Sequence, residues 1–236
     1  MLWLLLSWLL LSPVEAAEGP RPDQTLGVLR PGELAAVQKP LYPRSGRLEL
    51  GVNTALIPND AYVLGAMMGV QATWHLSPEW GAELSLGLGR GWDTYASRAL
   101  QVQGVRVDAY SPVMQTSLDV VWTPIYAKLN LLGWRVVHFD VAGVAGGGLF
   151  LAERTIFNDT VAAEGSPRYN LPASLNLGLL HRYYMTVLGR PWALRLEVRD
   201  HLTLVPEGLA GPWLKHDLLL GVGLSGFLTL GGARDK

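Results

Sequence analysis

The chain has no cysteine. That excludes disulfides, thiolate metal sites and a lipid-bearing N-terminal cysteine. Charge is scarce too: 17% of residues are Asp, Glu, Lys or Arg, against about 25% in ordinary soluble domains. The net charge of −1 offers no basic surface for nucleic acid. The five histidines show no metal-ligand spacing, so no metal and no cofactor are assigned. Long apolar runs are missing beyond residue 16. The best two, 139–152 and 218–230, are short, alternate and are interrupted by Asp or Gly, whereas a membrane-spanning helix needs about 20 residues.

What the chain has is alternation. In Trp80–Trp92, Trp80, Ala82, Leu84, Leu86 and Leu88 form one set, and Gly81, Glu83, Ser85, Gly87 and Gly89 the other. Period two is a β-strand with one apolar face and one small or polar face. Eight such stretches are expected, at 46–54, 62–76, 80–92, 115–131, 137–153, 169–185, 192–204 and 215–228. Many exceed the usual length of about 5–6 residues. Twelve residue steps from Trp80 to Trp92, at about 3.3 Å each and tilted about 40°, rise about 30 Å. That crosses the apolar band of about 25 Å that a membrane barrel presents to lipid.

The tryptophans sit at strand ends. Trp74, Trp80, Trp134 and Trp192 lie beside the short connections 77–79, 132–136 and 186–191; Trp92 and Trp213 lie beside long ones. Such rings favour the water–lipid boundary, and together they are expected to form an aromatic girdle. Connections 55–61, 93–114, 154–168 and 205–214 are long and the other three short, which is the plan of bacterial outer-membrane barrels. The expected fold is all-β: an eight-stranded antiparallel transmembrane β-barrel, 46–228, in the bacterial outer membrane. A signal peptide is expected at 1–16, an extended proline-rich periplasmic segment at 17–45, and a C-terminal tail at 229–236.

Alternation also sorts the charges. Glu49, Glu83, Asp119, Lys128, Asp140, Arg195, Glu197, Arg199 and Asp217 fall on the face opposite the leucines. An eight-stranded barrel is just wide enough for side chains to fill, so these charges are expected to form a lumen ion-pair network. In the fourth strand, Leu118, Val120 and Trp122 share the lipid face before Pro124, and Ile125, Ala127, Leu129 and Leu131 after it. Pro cannot donate to a ladder, so this change of phase predicts a β-bulge.

No catalytic residue is assigned. Asp200-His201 and His216-Asp217 have the side chains of a hydrolase, but neighbours along a strand point to opposite faces. The loops 93–114 and 154–168, with Tyr95, Arg98 and Tyr110, are expected to contact envelope partners, as is the N-terminal segment; the barrel wall meets outer-membrane lipids.

Thr123-Pro124-Ile125-Tyr126-Ala127-Lys128-Leu129-Asn130, followed by Phe139-Asp140 and a Gly-rich run, resembles the outer membrane β-barrel domain family of myxobacteria and relatives. Val37–Pro43 leading into Gly46-Arg47-Leu48-Glu49-Leu50 resembles that family's approach to its first strand, and Arg195–His201 its penultimate strand. The resemblance covers about residues 35–228. It implies a barrel without assigned activity; some myxobacterial barrels serve in envelope complexes of the gliding-motility kind, which makes such a complex one setting open to this chain. The expected function is therefore a structural or binding role in the cell envelope. A narrow, porin-like pore or transporter is the alternative, and a lipid-modifying barrel enzyme a lesser one.

Overall fold

A computed structural model describes residues 42–131, 135–157, 169–205 and 213–229. The expected signal peptide 1–16, most of segment 17–45, Trp134, the loop stretch 158–168 and the tail 230–236 lie outside the described residues.

Eight strands make up the wall among the described residues: β1 (Arg47–Ile57), β2 (Val63–His75), β3 (Trp80–Asp93), β4 (Val107–Leu131), β5 (Arg135–Phe157), β6 (Ala173–Val187), β7 (Arg190–Val205) and β8 (Trp213–Thr229). Each pairs antiparallel with the next, from Leu48 opposite Trp74 round to Val205 opposite Trp213. β1 pairs back onto β8, Arg47 opposite Thr229, and closes the barrel. Closure leaves no strand edge within this wall, the condition for a sheet to sit in lipid. A short bridge, Tyr169–Asn170, adds to β5 ahead of β6.

The register shift between Trp122 and Ile125 places a bulge at Pro124, as the phase change predicts. A second shift, between Pro112 and Met114, leaves Val113 out of the ladder directly after a proline. It goes with a difference from expectation: β4 starts at Val107, and β5 runs on to Phe157. The stretch 93–114 is therefore only partly a loop. It holds one helix, α1 (Tyr95–Val102), capped by the Thr94 side chain, which accepts from the Ser97 N–H at 3.2 Å. Tyr110 is correspondingly buried, not a surface contact. Tyr95 and Arg98 are exposed on α1.

The two faces separate cleanly. Outward residues of β3 are exposed leucines; inward ones are Glu83, Ser85 and glycines. At the long-connection end the interior is filled by Ile57, Met67, Tyr110, Phe150, Ala152, Val205 and Leu219. The other end is filled by charge, described below.

Close packing across β4 and β5 depends on an inward glycine. A Cβ on Gly148 would collide with the Thr116 carbonyl and the Ser117 backbone, whereas one on Gly143 would meet nothing within 4 Å. Gly148→Ala is expected to cost about 1–3 kcal/mol through backbone displacement and to lower the urea midpoint of the barrel. Gly143→Ala should leave it unchanged.

Candidate functional site

The interior of the short-turn half holds a continuous chain of alternating charge. Arg44, just before β1, meets Asp140 of β5. Arg182 of β6 donates its Nε–H to Asp140 at 2.9 Å and an Nη–H to Glu49 of β1 at 2.9 Å. Arg195 of β7 joins Glu49, at 2.9 Å, to Glu83 of β3, at 2.6 Å. Arg199, further along the same strand, joins Glu83, at 2.8 Å, to Asp119 of β4, at 2.7 Å. The order is Arg44, Asp140, Arg182, Glu49, Arg195, Glu83, Arg199, Asp119: four cations and four anions, each with side-chain exposure of 6% or less.

Neutral groups occupy many of the remaining lone pairs, although the Nε–H groups of Arg195 and Arg199 keep no partner among the described residues. Thr73 and Ser225 hydroxyls donate to Glu83 and Glu49 at 2.7 and 2.6 Å. His75 lies 2.8 Å from Glu49. Ser117 and Asn176 donate to Asp119 at 2.6 and 3.1 Å, and Tyr184 to Asp140. Arg182 donates to the Thr123 hydroxyl at 3.0 Å. This dense satisfaction is what makes buried charge tolerable.

Of the nine charges expected inside, Glu49, Glu83, Asp119, Asp140, Arg195 and Arg199 form this chain, and Glu197 pairs with Arg199 at its flank. Two differ. Lys128 is exposed, because it lies below the bulge near the short-turn rim where water reaches it. Asp217 is buried but meets Lys215, which lies 3.6 Å from Asp60, in a separate group toward the long-connection end. Two members of the chain, Arg182 and Arg44, and the neighbouring His75 lie outside the expected set. Arg182 and His75 lie on inward faces by the same alternation; Arg44 precedes the first strand.

The two Asp/His dipeptides lie crosswise in the strand register, and one of the two couples makes contact. His201 faces Asp217 across β7 and β8 in the interior. Outside, Asp200 lies 3.0 Å from His216. The four side chains are thus split by the wall, as the strand period requires.

Outside, leucines and valines run the length of the wall, such as Val52, Val70, Leu86, Leu118, Leu177 and Val222, each 48–65% exposed. Trp74, Trp80, Trp92 and Trp213 are exposed at the strand ends, joined by Trp122, which stacks on Trp80 at 6.1 Å. Trp192 is half-buried, because it lies over the surface of Gly226. Only lipid is a good solvent for this exterior, and a closed barrel with such a belt and unequal connections is the outer-membrane architecture. The chain is an outer-membrane β-barrel.

No family model matches the chain, and no curated protein does. Among solved structures it is similar to the N-terminal β-barrel domain of Pseudomonas aeruginosa OprF, at 10% identity over 78% of this chain and 98% of that one, TM-score 0.42. It is similar to Ail, the attachment invasion locus protein of Yersinia pestis, at 12% identity over 78% and 99%, TM-score 0.42. A major outer membrane protein from Thermus thermophilus matches at 14% identity over 77% and 99%, TM-score 0.37. The barrel assignment rests on the closed strand pairing and the exterior, not on these likenesses.

Arg195 stands between two buried carboxylates, so its removal takes one of two guanidinium partners from each and leaves the interior one positive charge short. Arg195→Ala is expected to cost about 3–5 kcal/mol and to lower the folded fraction across a urea titration. Arg98→Ala, on exposed α1, should leave the curve in place.

Proposed function

We propose that this protein is a closed, non-conducting outer-membrane barrel with a structural or binding role in the cell envelope, acting within a multiprotein envelope complex. The observation that carries the reading is the filled interior. Charge and hydrogen bonds occupy the short-turn half, and the Ile57–Met67–Tyr110–Phe150 cluster occupies the other. Eight strands leave no room beside them for a wide water column. Function is then left to the exposed ends, with the short turns on the periplasmic side.

The β3–β4 connection is the outer surface that best suits a partner. α1 presents Tyr95 and Val102 at 88% and 89% exposure. Its fold is held by the Thr94 cap and by the Thr94 hydroxyl donating to the Ala61 carbonyl at 2.7 Å. An exposed aromatic and an exposed aliphatic side chain on one short helix have the composition of a protein contact rather than of a solvated connector. The loop around 158–168 and the N-terminal segment 17–45 are further candidates. The resemblance of 123–130 and 195–201 to myxobacterial barrels favours an envelope complex of the gliding-motility kind as the setting.

Purified protein in planar bilayers at neutral pH is expected to show no steady conductance. Reproducible single-channel steps would give first place to a narrow pore instead.

A further inference from the structure

The chain reaches the barrel by an unusual path. Before entering the wall at Arg47 it crosses the short-turn mouth, and Arg44 turns inward there, 6% exposed. One guanidinium nitrogen meets the Asp140 carboxylate. The other donates to the backbone carbonyl of Pro78, in the β2–β3 turn, at 2.7 Å. The two acceptors belong to well-separated parts of the wall, β5 and the β2–β3 turn. Tyr42 stacks on Tyr184 at 5.2 Å with an interplanar angle of 16°, sets its edge toward His138 at 5.7 Å and lies 3.0 Å from the Thr186 hydroxyl. Gly46, with φ of +72°, then turns the chain into the wall, and its N–H donates to the His75 carbonyl at 2.8 Å.

The receiving groups are held without Arg44. Asp140 is fixed from β6 by the Arg182 Nε–H at 2.9 Å and by the Tyr184 hydroxyl. Pro78 is set by its turn, where the Leu76 N–H donates to the Trp80 carbonyl at 2.9 Å. A buried carboxylate and a carbonyl, spaced for the two arms of a planar fork, suit a guanidinium. An ammonium is a point charge and cannot hold that fork geometry.

We infer that the short-turn mouth of the barrel is a guanidinium-recognition site, which the chain fills in cis with its own Arg44. Tyr42 and Arg44 together form a latch that closes the mouth and ties the chain ahead of β1 to the barrel floor. An arginine presented by another envelope protein has the chemistry to compete for the same place. This inference is independent of whether the barrel conducts.

The test is rescue by a small guanidinium. Arg44→Ala is prepared in detergent micelles, and its folded fraction is read by heat-modifiable gel mobility across a temperature series. Methylguanidinium chloride, or methylammonium chloride as control, is added at matched ionic strength. The expected result is a lowered unfolding midpoint in Arg44→Ala, raised toward wild type by methylguanidinium in a saturable way and not by methylammonium. Wild type, with its site filled, should gain nothing, and Arg44→Ala/Asp140→Asn should not be rescued. If Arg44→Ala does not fold alone, the same readout applies to its refolding yield with and without methylguanidinium. Absence of rescue, equal rescue by methylammonium, or rescue that survives Asp140→Asn would overturn the site.

Discussion

The short-turn half of this barrel's interior is organised by the cost of burying charge. A carboxylate or guanidinium removed from water must recover its solvation from neighbours, and a single partner seldom suffices. The interior meets this by alternation: four of the eight charges in the chain are anions and four are cations, and each inner member touches two of opposite sign. The eight charges are neutral as a unit, and each carboxylate among them is held by at least one guanidinium. Because its members come from β1, β3, β4, β5, β6 and β7, the chain also fixes the register of opposite walls against one another. A one-residue slip in any of these strands would turn its charge into lipid.

The exterior is the complementary solution. A soluble protein hides leucine and shows charge; this wall does the reverse, and only closure of the ladder between β1 and β8 makes that possible. The aromatic residues then settle at the boundaries, Trp80 and Trp122 stacked at one rim, Trp92 and Trp213 at the other. At the long-connection end, where β4 and β5 extend furthest, the interior changes from ionic to apolar around Tyr110 and Phe150. One fold therefore carries two different fillings along its axis.

Much of this is legible in the sequence because period two is a direct record of which solvent each side chain meets. The strand positions, the bulge at Pro124 and six of the eight members of the charge chain follow from it. What escapes does so for identifiable reasons. Arg182 follows Leu179-Leu180-His181, where apolar residues fall on both faces and blur the alternation; Leu180 is in fact fully buried. Arg44 belongs to no strand, so periodicity says nothing about it. Tyr110 reads as a loop residue because Pro112 and its bulge interrupt the pattern of β4. The placement of His201 opposite Asp217 depends on the register of two strands, which neither strand encodes alone.

The central claim is that the charges matter as a balanced set rather than as separate contacts. It is tested most directly by a double-mutant comparison at Arg195 and Glu83, whose side chains lie 2.6 Å apart, with unfolding free energies measured in urea. The account predicts that Arg195→Met and Glu83→Gln are each strongly destabilising, and that the double variant, which restores neutrality, is more stable than the sum of the two losses implies by about 2 kcal/mol or more. Losses that simply add would contradict it, and would mean that each charge is solvated independently within the lumen.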